Sequence, residues 1–596
     1  MKLKLTLLLS ALAAVATAQT VSSPDGRLSL VVQPGLYPTY KVFYDGTTIL
    51  NPSPLGLVAN YTDYSKNLKL INSQVDEVSK NYDMTRTKTS HSEYKANRLR
   101  CEMQNAEGWP IDIVFQVSNN DIAFRYEIKK HETKETGSIR VMEEKTGFSF
   151  INGTTAFVCP QSEAMIGWKR TKPSYEEEYL YDAPLNSIAK FGHGWTFPCL
   201  FKAPGPKNNK QAGDNNIWML ISETGVDSKY CASHLSNFDS NTATIAFPLP
   251  QENNGNGTIE PAFSLPGATP WRTLTIGSNL APIAETTIMY DVVEPLYEPS
   301  STYKAGRGTW SWILWQDNSI NYEDQVKYID LAAAMGYQYV LVDNWWDLQI
   351  GRADNPVNGH SIEDVISYAH SKGIDVFLWY SSSGYWNDIV QGPINCMDNS
   401  IARKREMRWM REMGVKGIKV DFFGGDKQET IRLYEQILSD ADDAGLMVIF
   451  HGCTIPRGWE RMYPNFVSCE AVRASENLAF GQYDNDQEAV AGTILPVLRN
   501  AIGNMDFGGS TLNKRYSKDN QHGTTRKTSD VYALATAVLF QTPVQNFALT
   551  PNNLTDAPAW AVDFMKTVPT TWQDMKFVDG YPGKYLIMAR QDTEGK

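Results

Sequence analysis

Acidic side chains that follow apolar runs are the residues whose types and spacing could carry out chemistry in this chain. Asp343 follows YVLV, Asp421 ends GIKVD, Glu470 comes directly after FVSC, and Glu476 lies six residues later. A carboxylate set among apolar residues, as Asp421 is, costs several kcal/mol to bury unless it is paired or used. Its structural alternatives are a helix N-cap and an ion pair with Lys419. Two carboxylates on either side of a sugar can act as nucleophile or base and as proton donor, which is the chemistry of glycoside hydrolysis.

Residues 301–557 contain the strands and helices that must position these carboxylates. Continuously apolar strands alternate with helices at least four times, which indicates a parallel sheet covered on both faces. The pattern predicts a (β/α)8 TIM barrel, in which the active site lies at the C-terminal ends of the strands. TWSWILW is predicted as a strand, and helices are predicted over 323–335, 361–372, 400–413 and 427–441. A doubly wound open sheet is the alternative, but no GxGxxG or GxxxxGKS/T motif follows a strand here.

The chain on either side of this region reads mainly as strand. Residues 19–300 return repeatedly to short alternating or β-branched runs between turn residues, which predicts a large N-terminal β-sandwich. Residues 558–596 read as the start of a C-terminal β-domain that looks incomplete. Residues 1–18 have a basic start, an apolar middle and small residues before Gln19, which predicts a signal peptide. The protein is therefore expected to be exported, either periplasmic or secreted.

Charge and composition exclude several classes of function. Lys and Arg number 55 against 67 Asp and Glu, a net charge of −12, so the diffuse basic surface of a nucleic-acid-binding protein is missing. After the signal, no uncharged apolar run reaches the roughly 18 residues of a membrane-spanning helix. The 8 His residues include no HExxH motif, which argues against a His-rich metallohydrolase. A neutral or cationic ligand is expected, and the oligomeric state stays open.

Four segments of the chain resemble a known family. They are FHGCTIPRGWERMYPNFVSCEAVRASENL, GIKVDFF, PSYEEEY and GWTFPCLFK. Together they resemble glycoside hydrolase family 97, a family of exported bacterial α-glycosidases. The resemblance implies an N-terminal β-super-sandwich, a catalytic (β/α)8 barrel and a C-terminal β-sandwich. This architecture agrees with the divisions 1–18, 19–300, 301–557 and 558–596 that the strand and helix patterns predict.

The resemblance also separates two mechanistic branches. In the inverting branch, one Glu follows the His at the end of the fifth strand and another follows the third strand; here those positions hold Gly452 and the serines of YSSSG, Ser381 to Ser383. In the retaining branch, which resembles α-galactosidases, an Asp at the end of the fourth strand is the nucleophile, and Asp421 matches it. In both branches the general acid is the second of two Glu six residues apart, which implies Glu476 as acid/base. The implied protein is a retaining exo-α-galactosidase acting by double displacement on an oligo- or polysaccharide with terminal α-galactose.

Further side chains near the predicted strand ends are candidates for binding the sugar: Asp343, Trp345, Lys419, His451 and Arg473. Lys419 lies two residues before Asp421 and therefore on the same strand face, where it would donate to a hydroxyl and keep Asp421 ionised. Asp343 would accept hydrogen bonds from hydroxyls, with capping of the next loop as the alternative. Trp345 suits the apolar face of a pyranose or the protein core. His451 is a candidate sugar contact or a core histidine.

The resemblance further implies a calcium ion in the active site. Its ligands would be Glu176, the first acid of SYEEEY, with Glu470 and Glu476 from the barrel. Oxygen ligands from separate segments suit a hard cation. Without the resemblance, the three adjacent acids 176–178 would read as a solvated charge run. Gly452 lacks a ligand that the inverting branch uses.

Other functions stay open on the sequence alone. A retaining glycosidase of another specificity is one, either an α-glucosidase or a β-L-arabinopyranosidase, because arabinopyranose shares the ring hydroxyl pattern of galactose without its hydroxymethyl group. A non-catalytic carbohydrate-binding protein is the alternative from a different class. It would require the nucleophile or the acid to be replaced, whereas Asp421 and Glu476 are both present.

Overall fold

The computed structural model describes residues 18–205, 215–382 and 384–596. The signal peptide predicted over 1–18 therefore lies outside the described residues, except for Ala18. Within these ranges, no helix combines the length and the apolar character needed to cross a bilayer.

Antiparallel strands dominate the chain before residue 280. They are β1 Gln19–Ser22, β2 Leu28–Gln33, β3 Thr39–Tyr44, β4 Thr47–Pro54, β5 Leu57–Ala59, β6 Lys69–Asp83, β7 His91–Gln104, β8 Pro110–Val117, β9 Asp121–Ile128, β10 Ser138–Glu144, β11 Gly147–Ser149, β12 Thr155–Pro160, β13 Leu180–Pro184, β14 Trp195–Pro204, β15 Asn216–Thr224, β16 His234–Leu235, β17 Thr242–Ala246, β18 Ala262–Ser264, β19 Gly267–Ala268 and β20 Trp271–Gly277. Among the described residues they form one sheet of 13 strands, one of four and one of three.

Burial shows how these sheets stack. The four-stranded sheet has the order β1-β2-β3-β4, and the main path of the large sheet runs β11-β17-β16-β14-β15-β20-β9-β8-β7-β6. In β2, Leu28, Leu30 and Val32 are buried and alternate with more exposed residues, so one face of this strand is covered. In β8 and β15 nearly every residue is buried, so both faces are covered. The N-terminal β-sandwich that the sequence predicts is confirmed.

Parallel strands form a curled sheet after residue 300. They are β21 Gly306–Trp310, β22 Tyr339–Val342, β25 Asp375–Ser381, β26 Gly417–Asp421, β27 Met447–Phe450, β28 Phe466–Cys469 and β29 Val544–Phe547, with a small hairpin of β23 Gly351–Arg352 and β24 Asn355–Pro356 beside them. The order is β28-β27-β26-β25-β22-β21-β29. Between its two edges, Met505 makes a single parallel bridge to Cys469, and its N–H donates to the Gln541 carbonyl at 2.8 Å. The sheet is therefore a nearly closed barrel whose seventh strand is reduced to this bridge.

The α-helices of the described residues mostly cover the outside of this sheet and connect its strands, but the two over 281–285 and 288–291 pack on β15 and β20 of the sandwich. They are α1 Ala281–Glu285, α2 Ile288–Asp291, α3 Trp312–Trp315, α4 Tyr322–Met335, α5 Trp346–Gln349, α6 Ile362–Ser371, α7 Ser400–Met413, α8 Gln428–Asp443, α9 Trp459–Met462, α10 Ser475–Phe480, α11 Gln482–Ile494, α12 Asp530–Leu539, α13 Asn553–Asp556 and α14 Ala559–Thr567. The four helices predicted from the sequence correspond to α4, α6, α7 and α8 and are confirmed.

Local chemistry explains where these helices begin and end. The Asn321 side chain accepts the Asp324 N–H at the start of α4, and Asn399 caps the start of α7 in the same way. Gly336 and Gly414 end these helices with φ of 66° and 79°, a conformation that costs glycine little.

The strand predicted over TWSWILW is partly wrong. β21 ends at Trp310, and the chain turns into α3, where the Trp315 N–H donates to the Ser311 carbonyl at 2.9 Å. The run is apolar throughout because α3 is also buried, and a short apolar run does not distinguish a strand from a buried helix.

The C-terminal residues form an antiparallel pair, β30 Asp574–Tyr581 with β31 Tyr585–Gln591. It is the C-terminal sheet element of the predicted architecture. In the segment predicted over 558–596, α14 precedes these strands.

Candidate active site

A cavity of about 750 Å³ opens at the C-terminal edge of the barrel sheet. Strand ends and following loops of the barrel form most of its wall, and a loop of the N-terminal sandwich adds Trp168 and residues up to Glu176. The predicted residues that line it are Glu176, Asp343, Lys419, Asp421, Glu470, Arg473 and Glu476. Parallel strands bring their carboxyl ends to one edge, so residues far apart in sequence meet here.

Lys419 lies between two carboxylates on the cavity floor. Its Nζ is 3.0 Å from Asp343 Oδ2 and 3.8 Å from Asp421 Oδ2. Trp310 donates its indole N–H to Asp343 Oδ2 at 2.8 Å, and the Lys419 ammonium lies 4.2 Å from the centre of the Trp310 ring. Burial lowers the pKa of Lys419, but Asp343 and Asp421 outweigh it and raise this pKa above its ordinary value. The lysine is therefore a buried cation that neutralises part of the floor.

Asp421 is the last residue of β26 and is buried. The Trp379 indole N–H donates to its Oδ2 at 3.1 Å. Burial raises the pKa of this carboxyl, and the nearby Lys419 and His451 act in the opposite direction. The arrangement holds one carboxylate oxygen with a neutral donor and keeps a cation close by.

Gly452 leaves the space that the Asp421 carboxylate needs. Its φ is 46°, and a Cβ at this position would lie 2.9 Å from both Asp421 Oδ1 and the Phe422 backbone nitrogen. Real side chains essentially never approach so closely. A Glu at position 452 and an Asp at position 421 therefore exclude each other sterically in this backbone. Ser382, at the end of the third strand, donates its N–H to the Asp421 carbonyl at 2.8 Å, and Ser383 lies outside the described residues.

Two glutamates and a histidine gather beside this carboxylate. Ligand atoms of His451, Glu470 and Glu476 all lie within 4.8 Å of one another. Glu470 Oε2 is 3.2 Å from His451 Nδ1 and accepts the Gly452 N–H at 3.2 Å. Glu470 Oε1 is buried and has no hydrogen-bond partner among the described residues. An unpartnered buried carboxylate oxygen indicates a place where a cation could bind.

The pKa values of these groups reflect their crowding. Burial raises the pKa of Glu476 to about 8, with Glu470 as the next cause. Burial and the charges of Glu470 and Glu476 raise the pKa of Glu176 well above its usual range. Glu470 is the exception, because His451 lowers its pKa despite burial, and Glu470 in turn raises that of His451. The cluster therefore favours the charged forms of Glu470 and His451 as a pair, whereas crowding favours the protonated forms of Glu176 and Glu476.

A buried hydrogen-bond network holds the loop that contains Glu176, from the N-terminal sandwich, against the barrel site. Tyr175, which has a φ of 63°, donates its hydroxyl to Asp426 Oδ2 at 2.6 Å. The Arg457 guanidinium donates to the Tyr175 hydroxyl at 3.0 Å and to Glu223 of β15 at 2.6 Å. Ser174 donates to Glu176 Oε2 at 2.8 Å. These contacts join the sandwich to the loops that follow β26 and β27.

Three predicted sugar-binding residues differ in where they lie. Arg473 reaches the cavity wall, where its guanidinium donates to Asp484 and Glu178. His451 lies behind Glu470 and its Nε2 is 2.6 Å from Asp506 Oδ2, so it does not reach the described cavity wall. Trp345 is also absent from that wall, and at this residue, which has a φ of 71°, the chain turns from the end of the strand into α5. The sequence offered no sign of this turn.

The structure adds residues that the sequence reasoning missed. Trp310 holds Asp343, and Asp506 holds His451. Trp310 ends a strand and could have been found by that position. Asp506 follows Met505, where the strand is a single bridge, so no alternating pattern marks it.

Comparisons with known proteins agree with this geometry. The family model described as Glycosyl-hydrolase 97 N-terminal matches residues 21–295, and the model described as Glycoside hydrolase 97 matches residues 303–472. A crystal structure of a β-arabinopyranosidase is 58% identical, with a TM-score of 0.92, covering 97% of this chain and 89% of that one.

Two curated relatives are more distant. One, from Streptomyces bingchenggensis (strain BCW-1) and named probable retaining alpha-galactosidase, is 27% identical over 579 residues, which are 96% of this chain and 80% of the relative. A retaining alpha-galactosidase of Bacteroides thetaiotaomicron is 25% identical over 631 residues, covering 96% of this chain and 85% of the relative. With one family model matched over the sandwich and the other over the barrel that gathers the paired carboxylates, the chain belongs to glycoside hydrolase family 97 and is a glycosidase.

Proposed function

We propose that the protein is a retaining exo-glycosidase that releases a terminal sugar with the ring hydroxyl pattern of galactose, and that this sugar is β-L-arabinopyranose. The 58% identity to a β-arabinopyranosidase supports this sugar. The relatives at 27% and 25% identity support α-galactose as the second candidate. The two sugars differ in the hydroxymethyl group that only galactose carries.

The arrangement at Asp421 carries the proposal of retention. With Gly452 beside it, this carboxylate has room at the floor of the cavity, and the position used by an inverting base holds no side chain. Asp421 attacks the anomeric carbon, and a bond forms between a carboxylate oxygen and that carbon while the glycosidic C–O bond breaks. The Trp379 N–H on Oδ2 and the nearby Lys419 keep the carboxylate oriented and charged for this step.

Glu476 serves as the proton donor and then as the base. A pKa of about 8 keeps its carboxyl protonated at neutral pH, as a general acid requires. It gives its proton to the departing glycosidic oxygen. In the second step it takes a proton from water, whose oxygen attacks the anomeric carbon and releases Asp421.

The remaining floor residues bind the sugar hydroxyls. Lys419 has hydrogens to donate beyond its contact with Asp343, and Asp343 has lone pairs beyond those used by Trp310 and Lys419. This donor and acceptor pair fixes the ring before attack. The ring orientation in turn sets the anomeric carbon against Asp421.

We also propose that Glu176 and Glu470 hold a calcium ion, with Glu476 at its edge. The unpartnered Glu470 Oε1 supports a hard divalent cation at this place. The raised pKa of Glu176 supports it too, because burial and then repulsion by Glu470 and Glu476 disfavour the charged carboxylate when no cation is bound. A bound cation would supply positive charge that offsets this repulsion and attracts sugar oxygens. Export also stays a proposal, supported by the pattern of residues 1–18. Its test is the mass of the mature N-terminus.

The experiment follows the anomeric proton by NMR during hydrolysis of an aryl β-L-arabinopyranoside and of an aryl α-galactoside. We expect a β-configured arabinopyranose as the first product, and a higher kcat/KM for it than for the galactoside. An α-configured first arabinose product would refute retention. Asp421→Gly should lose activity, and added azide should restore turnover as a glycosyl azide of inverted configuration. A variant that keeps wild-type activity would refute the nucleophile.

A further inference from the structure

The catalytic cavity has a buried floor and an exposed mouth. Asp343 and Lys419 on the floor are 1% and 2% exposed, whereas Phe480 at the mouth is 59% exposed. Under the proposed exo-acting function, on which this inference rests, the terminal sugar occupies the floor. The group that it leaves behind must then lie at the mouth.

Phe480 lies on the side of the cavity from which the leaving group departs. It is four residues after Glu476 on α10, so the two side chains lie on one face of this helix, about 5–6 Å apart at Cβ. The departing oxygen takes its proton from Glu476 and must touch that carboxyl. The ring of a sugar attached through this oxygen is therefore close enough to contact the Phe480 side chain.

The aromatic ring of Phe480 is held in place by a stack of tryptophans. It meets the Trp312 ring edge-on, with centroids 6.0 Å apart at 80°. Trp312 stacks on Trp310 at 6.1 Å and donates its indole N–H to Asp317 Oδ1 at 2.7 Å. A fixed aromatic face that stays exposed suits the apolar face of a pyranose.

We propose that Phe480 is the stacking platform of a leaving-group subsite that takes a pyranose ring. The natural substrate is then an oligo- or polysaccharide in which the released sugar is linked to another sugar. Trp168 is the competing platform, since it is 54% exposed and lines the same cavity. It packs instead against Phe422 at 5.7 Å, directly after Asp421, on the side of the nucleophile.

The test compares two substrates that share the released sugar. One is a disaccharide with a pyranose leaving group; the other is the glycosyl fluoride, whose leaving atom is too small to reach Phe480. We expect Phe480→Ala to lower kcat/KM for the disaccharide by about tenfold and to change that for the fluoride less than twofold. Phe480→Trp should restore the disaccharide rate.

Two control variants complete the design. Phe564→Ala removes an exposed phenylalanine from α14 and should leave both rates unchanged. Trp168→Ala alters the cavity wall, so it should change the two rates by the same factor and leave the preference for the disaccharide unchanged. Equal losses on both substrates for Phe480→Ala, or a disaccharide-specific loss for Trp168→Ala alone, would overturn the subsite. If the wild-type enzyme cleaves neither substrate, the proposed function itself fails.

Discussion

Replacing Gly452 with alanine tests whether the absence of a side chain at this position allows the Asp421 carboxylate to take its observed position. The new Cβ would lie 2.9 Å from Asp421 Oδ1 and from the Phe422 nitrogen, whereas ordinary contacts begin at 3.4 Å. The carboxylate and its backbone must therefore move by about half an ångström. Because a displacement of about 1 Å lowers the catalytic rate about 100-fold, we expect kcat to fall roughly tenfold. The left-handed φ of 46° adds about 1–2 kcal/mol of strain to the folded state.

Gly336→Ala is the matched control. Its φ of 66° imposes similar strain at the end of α4, but a Cβ there would meet nothing within 4 Å. Urea unfolding and steady-state kinetics on both variants separate the two effects. We expect both proteins to lose stability and only Gly452→Ala to lose kcat. A Gly452→Ala enzyme with wild-type kcat would refute the reasoning.

Three other predictions concern charge in the cavity. Lys419→Met should leave the buried Asp343 carboxylate without its cation. We therefore expect the free energy of unfolding, measured by urea titration, to fall by about 3–5 kcal/mol and most activity to be lost. Unchanged stability would contradict the ion pair. Because the pKa of Glu476 is about 8, kcat/KM should fall as pH rises through that value and the acid loses its proton. On a substrate with a good leaving group, Glu476→Gln should abolish this fall of kcat/KM at alkaline pH. Calcium should raise the Tm of the wild type and of the control variant Glu163→Gln, which changes an exposed carboxylate. It should raise the Tm of Glu176→Gln much less, and an equal rise in all three proteins would exclude Glu176 as a ligand.

The sequence predicts much of the barrel because its local signals agree. Caps such as Asn321 and Asn399 mark helix starts, and apolar runs mark the strands. Lys419 and Asp421 alternate on one strand, so their shared face follows from the period of two. Asp343 joins them because the parallel strands of one sheet, here β22 and β26 with β25 between them, end at one edge.

The missed features depend on contacts that local patterns do not encode. The partner of His451 is Asp506, which follows a strand of one bridge and so carries no periodic signal. Trp345 and Trp346 are adjacent in sequence, yet Trp345 adopts a left-handed backbone conformation where the chain leaves the strand, while Trp346 packs in the core. The helix over 312–315 has the composition of a buried strand.

The path of Glu176 into the barrel has a consequence for how the protein becomes active. This residue is synthesised before the first barrel strand, and Tyr175 beside it is locked by Asp426 and Arg457 from the barrel. The ribosome must therefore complete the chain through Arg457, in the loop after β27, before the contacts that hold Tyr175 and its neighbour Glu176 in place can form. Under the proposed calcium site, sugar hydrolysis then requires both domains to be docked. Neither domain could be exchanged in evolution without a matching surface on the other.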